Sequence, residues 1–174
     1  MKNILLLLLT ILISSCNDNY IEETTKTYDN GKPEIIKYYK EIGQGKELVK
    51  RVEFWENGKI FIESHYRDGK LNGPNLAYFE TGEIMWKGTH LDGESDGLHI
   101  EYHPNGQISW EGSYKKGFKL GEWIAYYESG QIWQKINWNN YGTWDRIQKK
   151  YNEDGTIQGE YTWVDGEIIK SKEY

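Results

Sequence analysis

His99, Glu101 and His103 stand on alternate positions of one stretch, and alternation along a strand sends all three to the same face. Imidazoles and a carboxylate on one face are the raw material of a metal site, so these three are the candidate ligands. The flanking stretches weigh against them. Corresponding positions hold Asn75, Ala77 and Phe79 on one side and Trp123, Ala125 and Tyr127 on the other, which offer no further ligand. The expectation is a solvated face and no resident metal or other cofactor. Asp-Gly pairs at 68, 92, 154 and 165 bring one carboxylate per turn. Calcium prefers about six to eight oxygens, so these are turn residues first. The chain has no nucleophile elbow, no zinc cysteine cluster and no phosphate loop of the usual spacing, and we expect no enzyme.

The elements that carry these residues repeat. Turn glycines stand at 58, 82, 106 and 130, each 24 after the last, and second-turn glycines at 69, 93 and 117 keep the same step. Ile60, Ile84, Ile108 and Ile132 form one column, Val52, Leu76, Ile100 and Ile124 another, and Phe54, Tyr78, Tyr102 and Tyr126 a third. Columns in phase define a repeat protein. Within a repeat, period-2 alternation is broken by Asn105-Gly106, which predicts a β-hairpin with a type I′ turn. Ile108, Trp110, Gly112 and Tyr114 then share one face, and Gly88 and Gly112 leave room for the rings of Trp86 and Trp110. A lone hairpin cannot bury such a face, whereas stacked hairpins join their columns into a core. The fold class is therefore all-β, an elongated array of about six stacked hairpins of about 24 residues in an open antiparallel sheet.

Gly121-x-Trp123-x-x-Tyr126-Tyr127-x-x-Gly130-x-Ile132 resembles the MORN-repeat variant of bacterial proteins, and chains made only of such repeats resemble the YwqK-type antitoxin-like family. The resemblance covers roughly residues 25 to 170. It implies the repeat architecture and an antitoxin-like role, the neutralisation of a toxin by direct protein contact. Such repeats also occur in scaffolds and membrane-associated proteins.

Residues 1–15 read as a leader: Lys2 gives a positive start, and Ile4 to Ile13 is an apolar run too short to span a bilayer. Ile13-Ser14-Ser15-Cys16 resembles a bacterial lipobox, which implies cleavage before Cys16 and acylation of that residue by palmitate-type chains. Two or more chains anchor stably. Residues 16–25 then form the lipidated cysteine and a polar tether, and residues 26–174 the repeat domain. The expected location is the bacterial cell envelope, as a membrane-anchored lipoprotein. A formal net charge of −6 supplies no basic stripe, so no nucleic acid is expected as a partner. The first and last repeats are irregular: Pro33 occupies a strand position, and Asp145 replaces an expected glycine. Both read as caps for the stack.

If Ile124, Tyr126 and Ile132 point to the core, alternation turns Trp123, Tyr127 and Trp133 outward, with Phe79 on the same outer face. Large apolar groups on a solvated face suggest a contact surface. The reading is a non-enzymatic, lipid-anchored protein-binding or scaffold module whose partner surface is Trp123, Tyr127, Trp133 and Phe79. The alternative is a glycan-binding envelope lipoprotein that lays exposed tryptophan and tyrosine against sugar rings.

Overall fold

The computed structural model describes residues 20–138 and 146–174, and among them every regular element is a β-strand. In chain order they are β1 (Tyr20–Thr27), β2 (Pro33–Ile42), β3 (Gly45–Phe54), β4 (Ile60–Arg67), β5 (Lys70–Tyr78), β6 (Ile84–Leu91), β7 (Glu94–Ser95), β8 (Gly97–Tyr102), β9 (Ile108–Lys115), β10 (Phe118–Tyr126), β11 (Ile132–Trp138), β12 (Arg146–Tyr151), β13 (Ile157–Val164) and β14 (Glu167–Glu173). All belong to one antiparallel meander with β1 and β14 at its edges; the two-residue β7 lies off the main path, on β6. The expected open hairpin array is what forms. Cys16, the leader and Asp145 lie outside the described residues. The stretch from Tyr20 to Thr25, expected to be tether, is strand instead, with Ile21 and Glu23 half-buried against β2.

The two kinds of turn differ from expectation in an informative way. At Asn105-Gly106 only the glycine has positive φ, the Gly106 N–H donates to His103 O at 2.9 Å, and the His103 N–H donates to Gln107 O at 2.8 Å. That is a three-residue loop, a type I turn closed by a left-handed glycine, and not type I′. The same pattern recurs at Gly31, Gly58, Gly82, Gly130 and Gly155. Type I′ geometry sits at the second turns. There Asp68, Asp92, Lys116 and Asp165 adopt φ of 51°, 53°, 49° and 52°, each followed by a positive-φ glycine. Pro33 is tolerated as the first residue of β2, opposite Thr27.

Close to each three-residue loop the returning strand carries one unpaired extra residue. In the fourth hairpin Tyr102 opposes Ile108 but Glu101 opposes Trp110, so Ser109 is bulged. Phe61, Met85, Trp133 and Gln158 occupy the same place in other hairpins. A one-residue shift exchanges the faces of everything beyond it. Ile100 therefore pairs with Glu111, and Trp110 lies on the opposite side of the sheet from Ile100 and Ile124. The bulge offsets the extra loop residue and leaves the pairing that a two-residue loop at Asn105-Gly106 would also give, so the expectation of a single apolar face fails because Ile100 and Trp110 have the wrong parity to oppose each other.

Two rows of directly opposed residues cross the whole sheet. One runs Lys26, Ile35, Glu53, Ile62, Ala77, Trp86, Glu101, Trp110, Ala125, Gln134, Lys150, Gly159, Glu173. The other, on the opposite side, runs Thr24, Ile36, Val52, Glu63, Leu76, Lys87, Ile100, Glu111, Ile124, Lys135, Lys149, Glu160, Lys172. Opposed residues share a face, so the first row defines an indole face and the second an aliphatic face. On the indole face the small residues Ala77 and Ala125, each opposite a tryptophan, are fully buried.

Candidate functional site

Alternation does turn Trp123 away from Ile124, but both faces carry buried side chains, and that decides where the expected contact residues go. Trp123 pairs with Ile136 on the indole face and is 1% exposed, the largest fully buried side chain of the described residues. Its outward orientation is thus corrected. The ring lies over Gly112, where a Cβ would stand 2.2 Å from Trp123 Cδ2. Tyr114 meets it edge-on at 4.8 Å, His99 stacks at 6.0 Å, and its Nε1–H donates to Ser113 O at 3.1 Å. The glycine expected to receive Trp110 receives Trp123 from the next strand.

Tyr127 and His103 hold the same place at the start of their loops, and both are spent on the neighbouring hairpin. Tyr127 donates its hydroxyl to Tyr151 O at 3.0 Å, and His103 Nε2 bonds Tyr126 O at 2.9 Å. Tyr28 and Trp55 do likewise, to Phe54 O and Tyr78 O. Phe79 occupies this position without a polar atom and is half-buried. A second rung comes from the loop asparagines. Asn57 and Asn105 accept the N–H of Lys59 and Gln107 through Oδ1, and donate through Nδ2 to Glu80 O and Glu128 O of the next loop. This side-chain ladder clamps the hairpins together along one edge. Of the expected contact residues Trp133 alone stays open: it is the bulged residue of its hairpin, 39% exposed, with its ring 6.3 Å from Trp110 and 6.4 Å from Tyr127.

The three metal-ligand candidates are not brought together. His99 Nε2 and Glu101 Oε1 are 3.1 Å apart on the indole face, but His103 belongs to the loop ladder. Among the described residues no group of three or more His, Cys, Asp or Glu side chains is placed to hold a metal ion. The hydrogen bond from His99 holds the Glu101 carboxyl below the usual carboxylate range, against the opposing effect of burial. His90, on the same face, has a buried Nδ1 without a hydrogen-bond partner. Burial, and after it the nearby His99, push that imidazole below its ordinary value, which favours the neutral form.

Cations complete the indole face. Lys119 Nζ lies 4.1 Å from the Trp123 ring, 5.5 Å from Trp110 and 5.9 Å from Trp138. Arg146 lies 5.3 Å from Trp138 and 4.0 Å from Trp163. Burial pushes the Lys119 ammonium down, and the Glu101 carboxylate partly restores it. Four tryptophans, Trp110, Trp123, Trp138 and Trp163, are thus engaged by the protein's own lysine and arginine, each such contact being worth roughly 0.5 to 2 kcal/mol.

Exposed apolar surface lies instead on the aliphatic face, toward the type I′ turns. Leu98 and Leu120 both oppose Ser113, from β8 and β10, and Leu98 is 55% exposed. Phe118, two residues from Leu120 on the same side of β10, is 48% exposed, and Leu91 at the end of β6 is similarly open. Sequence reasoning missed this strip because it assigned every apolar column to one core. No helix of the described residues is long and apolar enough to cross a membrane.

Three stretches of the chain, residues 49–68, 95–116 and 119–140, match the MORN repeat variant, and each spans one hairpin. The chain carries MORN-type repeats. A comparison with curated protein sequences gives no match. Among solved structures, a mutant of S. aureus TarM crystallised with Fondaparinux, alpha-GlcNAc-glycerol and UDP is matched at 10% identity over 87% of this chain and 21% of that chain, with a TM-score of 0.23. A second structure of TarM is matched at 12% identity over the same shares, with a TM-score of 0.22. This chain spans about a fifth of the length of those chains, and likeness at such scores carries no argument about activity.

Proposed function

We propose that this chain is a non-enzymatic binding module, held on the bacterial envelope by lipid on Cys16, whose repeat sheet docks another protein through the strip of Leu91, Leu98, Phe118 and Leu120. The observation that carries this reading is the contrast in exposure: these residues stand open on one side of adjacent strands while the large rings of the other side are covered. Medium-sized apolar groups gathered on a regular, rigid sheet are what a partner can desolvate without the sheet rearranging. The antitoxin-like role implied by the family resemblance would here act on a partner in the envelope, since an exported, acylated chain is not placed to neutralise a cytoplasmic toxin. A glycan-binding reading finds support in Trp133 alone, the exposed member of a small aromatic cluster with the half-buried Trp110 and Tyr127 at the loop-ladder edge.

The test is comparative capture from solubilised envelope, with an immobilised glycan panel run in parallel. Leu98→Ser combined with Leu120→Ser should abolish protein capture while Trp133→Ser retains it. Loss with Trp133→Ser and retention with the leucine pair would move the site to the aromatic cluster and support glycan recognition. Acyl labelling of Cys16, absent from a Cys16→Ala variant, tests the anchor separately.

A further inference from the structure

We infer that the two edges of the sheet are complementary to each other, so that β14 of one copy pairs in parallel with β1 of a second copy and the chain assembles head to tail. The inference starts from direction. The main path holds thirteen strands, antiparallel throughout, so its first and last strands run the same way. A second copy placed by simple translation therefore presents β1 to β14 as a parallel neighbour, and the rows of side chains can continue from copy to copy without a step.

Those rows say which residues would meet. The row that begins at Lys26 ends at Glu173, opposite charges. On the other face Thr24 heads the row that ends at Lys172. One rung toward the start of both strands, Glu22 opposes Tyr38 at one edge and Lys170 opposes Thr162 at the other, which sets Glu22 beside Lys170. The next rung brings Ile21 to Ile168 and Ile169, the latter 65% exposed. The middle of β1 is acidic and the middle of β14 basic, whereas toward the C-terminal end of each strand the signs reverse.

Like edges do not fit in this way. Two β14 strands meeting antiparallel about Ser171 would set Lys170 against Lys172 of both copies, and two β1 strands meeting about Glu22 and Glu23 would gather four carboxylates. Like charges directly opposed disfavour pairing, so the edges select each other over themselves. Lys26 already pairs with Glu34 at 2.5 Å, with its side chain 59% exposed, and Glu173 would join that pair from outside. Both edges are long, of eight and seven residues, and each carries a bulge, β1 at Thr25 and β14 at Ile169; an unpaired edge of this length can template another strand. A head-to-tail contact of this sort generates an open series and no fixed oligomer. It involves only edge residues, so it stands independently of the leucine strip.

The experiment is sedimentation velocity on the full chain in detergent, across a range of concentrations at low and high salt. Wild type should show an open, concentration-dependent series of species that shortens at high salt. Lys170→Glu with Lys172→Glu makes both edges acidic, and Glu22→Lys with Glu23→Lys makes both basic, at the loss of the Glu23–Lys46 ion pair; each variant alone should be monodisperse and folded, with a cooperative melting transition. Mixed one to one, the two variants should assemble again, because each edge then finds an opposite. A wild type that stays monodisperse at every concentration would overturn the inference, as would assembly unaffected by either variant or a mixture that fails to assemble.

Discussion

The two faces of this sheet are built from the same strands, yet the indole face is covered by its own rings around Trp123, whereas the aliphatic face, buried at Ile36, Val52 and Ile100, is open over Leu98, Phe118 and Leu120. On the indole face a large ring is repeatedly set against a glycine or an alanine, and two of the indoles donate to a backbone or glutamine oxygen, Trp123 to Ser113 O and Trp163 to Gln148 Oε1 at 3.2 Å. On the aliphatic face Leu98 and Leu120 flank a serine. Nothing as small as Gly112 lies opposite them to let a ring fold down. Size complementarity across strands, more than hydrophobicity, decides which side covers itself. Aromatic content is therefore a poor guide to a binding surface in this chain.

That contrast breaks most visibly at Trp123. Trp123→Ala should destabilise by about 3 to 5 kcal/mol, as truncation of a large buried ring does. Gly112→Val should cost a comparable amount from the other side, because its side chain would occupy the volume of the indole. Both are read as urea midpoints with unchanged slope. Lys119→Met, which keeps the aliphatic stem and removes the charge shared by three rings, should cost about 0.5 to 2 kcal/mol.

The loop ladder gives a smaller and more discriminating effect. Asn57→Asp keeps the acceptor for the Lys59 N–H but loses the donor to Glu80 O, and should cost roughly 0.5 to 1.5 kcal/mol by thermal melting. Asp154→Asn in the last loop should be close to neutral. Asp154 caps its own turn through the Thr156 N–H at 2.9 Å, and no further loop follows for an amide to reach among the described residues. Smallest of all should be Leu98→Ser with Leu120→Ser, within about 0.5 kcal/mol in stability. A large loss there would mean that the aliphatic face is covered and the comparison fails.

The hairpins, their count and both glycine columns were legible because turns demand particular residues at fixed places. The bulge was not: its column reads Phe61, Met85, Ser109, Trp133 and Gln158, with no shared chemistry, since an unpaired residue at a sheet edge of the ladder has no common packing duty. A parity clue was nonetheless present. Across a two-residue loop at Asn105-Gly106 every pair joins an even to an odd number, so Ile100 and Trp110 could not share a face even in the turn first expected. The asparagines also carried a signal. Asn30, Asn57 and Asn105 can both accept and donate, whereas the final loop has Asp154, which accepts only. Partner residues stayed illegible because alternation assigns a residue to a face and does not say how far its neighbours cover it, as the burial of Trp123 over Gly112 shows.

Hydroxyl-radical footprinting of the folded full chain, read by mass spectrometry at individual side chains, tests the division of faces most directly. Trp123 should be strongly protected relative to Trp133, while Leu98, Phe118 and Leu120 are oxidised readily. Oxidation of Trp123 to the same extent as Trp133, with the leucines protected, would contradict the packing of Trp123 over Gly112 and the assignment of the open strip with it.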